Sequence, residues 1–166
     1  MRVHLIAVGH RMPAWVAAGF EEYARRMPAH CVLQLHAVEP ARRGQGAERA
    51  REEEGERLLA LAPARAALVA LDEHGEPWST ADLARRLGEW RATGQDVALL
   101  VGGAEGLSGA CLARATVVWS LSRLTLPHML VRVVVAEQIY RAWSVLAGHP
   151  YHRGGEPGRR MPGVTR

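Results

Sequence analysis

Three segments decide the reading of this chain: Val97-Ala-Leu-Leu-Val101, Gly102-Gly-Ala-Glu-Gly106 and Leu121-Ser-Arg-Leu-Thr-Leu-Pro-His128. A short, wholly apolar run is the mark of a strand covered on both faces, and this one empties straight into a glycine turn. A second loop of mixed polarity follows. A long apolar segment, Leu130–Ala147, then leads through Gly148 to His149-Pro-Tyr-His-Arg153. Strand, glycine turn and second loop are the layout of a small-molecule site at the edge of an open α/β sheet. The basic, aromatic ending adds an arm with the chemistry to reach a large polar substrate.

Upstream, apolar and charged segments alternate in a βα rhythm. Strands are expected over Arg2–Val8, Val32–Val38, Ala66–Leu71 and Thr116–Ser120, in addition to Val97–Val101. Helices are expected over Trp15–Met27, with Pro13 near the start, and over the charged segment Ala47–Leu61. A third begins at the capping-box pattern Ser79/Asp82 and runs to about Thr93, where Gly94 ends it. A short helix around Ala110–Ala115 and the terminal helix Leu130–Ala147 complete the set. Alternation of this kind predicts a mostly parallel sheet with helices on both faces.

The 166 residues suit one domain with a real core. No apolar run approaches a membrane span, and the N-terminus lacks a signal-peptide layout, so the expectation is a cytoplasmic protein. Cys31 and Cys111 have no metal-type spacing and read as free, buried thiols. The net charge is +4 and all 21 basic side chains are arginine. Guanidinium groups suit phosphate, although a compositional bias gives the same pattern. The segment after Arg153 is Gly, Pro and Arg, too polar to pack, and reads as a flexible extension over 154–166.

Several motifs together resemble the RlmH family of SPOUT-class rRNA methyltransferases. They are the GGAEG turn, the LSRLTLPH loop, the RVVVAEQIYRAWS helix, the HPYHR ending, the opening Val3–Phe20 segment, Tyr23-Ala-Arg-Arg26 and Leu71-Asp72. The resemblance runs to Arg153. It implies one SPOUT methyltransferase domain over 1–153, a C-terminal trefoil knot and an obligate homodimer. The implied activity is transfer of a methyl group from S-adenosyl-L-methionine to N3 of a pseudouridine in 23S rRNA on the assembled ribosome. It further implies that Leu71, Gly102, Gly103 and the loop Leu121, Ser122, Arg123, Leu124, Thr125 and Leu126 hold the cofactor, Arg123 being dispensable. No metal is required, because the positive sulfur already activates the methyl group.

Read for chemistry, Glu105 is either a solvated loop carboxylate or a group that orients the base or takes its proton. His128 follows Pro127 at a helix start. There it either satisfies the helix end or is kept neutral as a proton acceptor. Glu137 and Arg141 stand in the favourable i,i+4 order for a pair, and Arg132 falls on another face. The terminal helix is apolar nearly all round, so it lies deep in the domain or packs on a partner. In the tail, Tyr151 is fit to stack on a base, His152 to move a proton, and Arg153 or Arg141 to steady negative charge on a carbonyl. A frayed terminus is the alternative. His152, His128 and Glu105 all remain open as the base. His10, Arg11, Trp15, Arg42 and Arg43 are weaker candidates for an RNA-facing surface, with Trp15 more often a core residue. Two rival functions stay in view: a SPOUT enzyme acting on tRNA, and a noncatalytic ribosome-binding or assembly factor.

Overall fold

The computed structural model describes residues 1–42, 44 and 46–151. In chain order the elements are β1 (Arg2–Val8), α1 (Ala14–Ala24), β2 (Val32–Val38), α2 (Ala47–Leu61), β3 (Ala67–Pro77), α3 (Thr80–Ala92), β4 (Val97–Val101), α4 (Gly109–Arg114), β5 (Val117–Ser120) and α5 (His128–Leu146). The five strands form one sheet in the order β2-β1-β4-β3-β5, with every pairing parallel. The expected α/β class and parallel sheet are therefore what forms.

Strand alternation divides the core. Val3, Leu5 and Ala7 of β1 enter one buried cluster with residues of α1, α3 and α5, while Ile6 and Val8 enter another beneath α2 and α4. Because both faces are covered, β4 is buried along its whole length. Among the expected helix ends, the Ser79 hydroxyl accepts from the Asp82 N–H at 3.1 Å and the Asp82 carboxylate accepts from the Ser79 N–H at 3.0 Å. This is a complete capping box. Gly94 adopts φ +68° just past α3, as a helix-ending glycine should.

Three boundaries differ from expectation by two residues or more. Helix α1 stops at Ala24 because the last turn tightens: Arg26 N–H reaches the Tyr23 carbonyl at 3.1 Å, and Pro28 follows. Strand β3 runs six residues further than expected, past a register shift between Leu71 and Glu76. Gly75 allows that return to β5, since a Cβ there would stand 2.7 Å from the backbone of Val118. Helix α5 begins at His128, directly after Pro127.

Candidate active site

The C-terminal ends of β3, β4 and β5 open onto one cavity of about 610 Å³, within the range of small-ligand sites. Leu71, at the register shift of β3, and Val101 and Ser120, at the ends of β4 and β5, mark that opening, and the whole Gly102–Gly106 turn lines the cavity. The 121–127 loop supplies Leu121, Ser122, Leu124, Thr125 and Leu126. His128 and Val131 of α5 close one side, and Asp72, Glu73, Glu105 and Arg51 bring charge to it. Arg123 is exposed and lies outside the lining.

Each loop is fixed by its own bonds. In the glycine turn, Gly106 N–H donates to the Gly103 carbonyl at 3.1 Å. A Cβ on Gly102 would run into the Gly106 carbonyl, so the tight fold of the turn itself requires glycine there. In the second loop the Ser120 hydroxyl donates to the Ser122 carbonyl at 3.1 Å, and Leu124 N–H donates to the Ser122 hydroxyl at 2.9 Å. Thr125 ties this loop to β3 by donating to Glu73 at 3.1 Å.

Helix α5 starts at His128 after the N-cap residue Pro127, which makes no side-chain capping bond. The His128 pKa is held below the ordinary histidine value, chiefly by burial and next by the charge of Arg132, with Glu54 opposing. The helix end is what predicts neutrality from the sequence; burial and a neighbouring cation are the causes instead. Glu105 stands exposed on the turn.

The remaining candidates gather elsewhere. Arg141 and Glu137 are paired as expected, with Arg141 Nε donating to Glu137 Oε1 at 2.9 Å. The Tyr151 hydroxyl donates to the same oxygen at 3.1 Å, and the Arg141 guanidinium lies 5.0 Å from the Tyr151 ring centre. Burial, a hydrogen bond with Tyr23 and the Glu137 charge all push the Tyr151 phenol up, so it stays protonated and acts as a donor. Its ring meets Tyr140 edge-on at 4.8 Å. None of these residues lines the cavity, and His128 and Arg141 are separated by about 20 Å along α5 at ~1.5 Å per residue. His152, Arg153 and Arg43 lie outside the described residues. Trp15 is 60% exposed rather than core, because it sits on the outer face at the start of α1. Arg11 and Arg42 are exposed, and His10 pairs with Glu39 at 3.0 Å.

Sequence reasoning misses two buried charges beneath the cavity. Glu54 of α2 accepts from Ala41 N–H at 3.0 Å and backs onto Gly103. Within the run Glu52-Glu53-Glu54-Gly55-Glu56 it looks like any solvated carboxylate. The one hint is Gly55, where a Cβ would collide with the Ser108 hydroxyl, which marks a close helix approach. Helical spacing makes Arg132 a face residue, yet it is wholly buried. Its one signal is a lone charge amid valines. Both cysteines are unpaired and buried, and burial pushes the Cys31 thiol up.

A parallel sheet whose strand ends open between a glycine turn and a polar loop is the architecture of a small-ligand site in an open α/β sheet. The family model described as "Predicted SPOUT methyltransferase" matches residues 1–152. Ribosomal RNA large subunit methyltransferase H of Thioalkalivibrio sulfidiphilus is 60% identical over 155 residues, covering 92% of this chain and 99% of the relative. The protein of the same name from Alkalilimnicola ehrlichii is 56% identical over 156 residues, with 92% and 99% covered. A methylase family protein from Haemophilus influenzae shares the fold at TM-score 0.51 and 14% identity, over 97% of this chain and 72% of that one. The chain belongs to the SPOUT methyltransferase family, in the branch whose members carry the name ribosomal RNA large subunit methyltransferase H.

Proposed function

We propose that this chain transfers a methyl group from S-adenosyl-L-methionine to N3 of a pseudouridine in 23S rRNA of the assembled ribosome, working as a cytoplasmic homodimer. The observation that carries the reading is the 60% identity over nearly the full length of a relative named for large-subunit ribosomal RNA methylation. The cavity fits the donor. Leu71, Leu121 and Leu126 offer apolar walls for an adenine, and Asp72, Glu73 and Glu105 bring to the same cavity negative charge that would complement a positively charged donor. When bound, the donor supplies a methyl group activated by a positive sulfur.

The protein's own share is positional and electrostatic. The hydrogen-bonded 121–127 loop presents a fixed wall. N3 of pseudouridine sits between two carbonyls, so its proton is acidic for a ring nitrogen, and its removal leaves an anion able to attack in line. Glu105 and His128 stand at the cavity to accept that proton, with His152 of the tail as the third candidate. Arg141, with Arg153 of the tail, offers positive charge to the carbonyl oxygens.

One chain does not bring these groups together, because Arg141, with Tyr151 beside it, lies about 20 Å along α5 from His128. Two α5 helices related by a two-fold axis and running antiparallel would bring one chain's cavity to the other's tail. A strip of half-buried or exposed residues, Leu130, Val134, Gln138, Arg141 and Val145, lies along α5 at helical spacing and supports such an interface. The expected trefoil knot belongs to the same reading. Nucleoside mass spectrometry of ribosomal RNA from cells lacking the protein tests the function. Loss of one N3-methylated pseudouridine is expected, and an unchanged nucleoside profile overturns it.

A further inference from the structure

Arg132 is the largest wholly buried side chain described, with no exposed surface. Its Nη2 donates to the Val8 carbonyl at 2.8 Å and to the Gly9 carbonyl, so it fastens the chain where β1 ends. Its Nε and Nη1 are buried without a partner among the described residues. Burying a guanidinium with idle donors is costly, and a leucine or methionine would fill the same space more cheaply. Packing alone therefore gives no reason for a charge at this place.

His128 stands four residues earlier on the same helix, hence on the same face. A Cβ on Gly9 would lie 3.4 Å from Arg132 Nη2 and 3.4 Å from His128 Nε2. Gly9, at φ +99°, thus leaves the space in which the imidazole and the guanidinium converge. His128 lines the cavity and Arg132 does not. Arg132 therefore meets the imidazole at Gly9, outside the lining of the cavity.

We propose that Arg132 is a positioning residue for the methyl-transfer site: it anchors the end of β1 beneath His128 and holds that imidazole as an uncharged acceptor facing the cavity. The inference rests on the proposed methyl-transfer reading. The charges around His128 are Arg132 on its own helix and Glu54 on α2. Across the cavity are Arg51, Asp72 and Glu73, with His74 and Glu105 on the same rim. Arg132 repels a proton from the imidazole and Glu54 attracts one, so opposite substitutions have opposite effects.

The test is an NMR titration of the His128 ring in the full-length protein without cofactor, together with the pH profile of kcat on ribosomes. In the parent protein His128 titrates below the ordinary value of about 6.5. Arg132→Met raises that titration and moves the acid limb of kcat up with it, while the affinity for S-adenosylmethionine holds. Arg132→Lys keeps the charge, and the titration stays near the parent's. Glu54→Gln lowers the titration, and Arg132→Gln, uncharged but still able to donate to the Val8 and Gly9 carbonyls, raises it and decides the matter should Arg132→Met fail to fold. A parent His128 titrating at or above 6.5, or shifts in one direction for Arg132→Met and Glu54→Gln, overturns the proposal. Because the titration needs no turnover, it reads Arg132 even if the parent protein methylates nothing. A parent that methylates ribosomes while Arg132→Met leaves the titration unmoved sinks this inference alone.

Discussion

Glu54 Oε2 lies 2.6 Å from the point that a Cβ would occupy on Gly103. The buried carboxylate of α2 and the glycine turn after β4 are therefore fitted to each other, and the same turn forms the cavity wall. Its two leading glycines are constrained by different neighbours. At Gly102 the obstacle is the Gly106 backbone, closer still, which cannot move without unmaking the turn. At Gly103 it is the end of a side chain, which yields at the expense of the bond from Ala41 N–H.

Gly102→Ala should therefore cost about 3 kcal/mol or more and Gly103→Ala about 1–2 kcal/mol, in line with overpacking of tight sites. Urea unfolding midpoints check the order. Calorimetry with S-adenosylmethionine should show weakened binding for both, since both positions line the cavity. Equal stability of the two variants would mean that the turn has room the geometry denies.

A second prediction concerns acid sensitivity at the other end of β1. His4 Nδ1 lies 3.0 Å from His36 Nε2, so one ring N–H donates to the other ring's nitrogen. Burial, then His36, hold the His4 pKa below the ordinary value; Asp96 opposes and Arg2 adds to the lowering. A depressed folded-state pKa means that the unfolded chain binds the extra proton more readily. Stability from this group is present above about pH 6.5 and is lost as pH falls below it. His128 contributes with the same sign. The melting temperature should hold between pH 8 and 7 and drop toward pH 5, with a shallower drop for His4→Gln. A parallel drop in the variant would remove His4 as a cause.

Strands β1, β2 and β4 are legible to the residue, because continuous or alternating apolar runs bounded by turn residues leave little freedom. The second half of β3 is not. Asp72-Glu-His-Gly-Glu76 carries no apolar pattern, and it is a strand only because β5 offers a second register. At the site, loops following apolar strands point to the cavity wall, since such loops must emerge at the strand ends. Glu54 and Arg132 escape because burial of a charge is a property of the assembled neighbourhood. Helical spacing gives the face on which Arg132 stands. It does not distinguish a guanidinium that snorkels outward from one that bonds to Val8 and Gly9 across 123 or more residues of chain.

The tail cluster gives a third prediction. Tyr151→Phe keeps the ring against Arg141 and Tyr140 but removes the donor to Glu137. Losing a hydrogen bond to a charged group should lower methylation about ten- to hundredfold. Calorimetric affinity for S-adenosylmethionine should not change, because Tyr151 is not among the residues that line the cavity. Glu137→Ala should cost more, since it frees Arg141 as well as Tyr151. A matching loss of cofactor affinity in Tyr151→Phe would show that Tyr151 helps to hold the cofactor as well.

The sharpest test of a shared site is complementation. Gly102→Ala damages the cavity, and Glu137→Ala damages the cluster at the far end of α5. If each site takes its cavity from one chain and its tail from the other, homodimers of either variant have two broken sites. A heterodimer then has one site carrying both lesions and one carrying neither. Unfolding and refolding the two variants together should restore about a quarter of parental activity, since about half the dimers are mixed and each has one sound site. The measurement is methylation of intact ribosomes by the mixture against each variant alone. If the site were contained in one chain, every chain in the mixture would still carry its own lesion, and activity would stay at the average of the two variants.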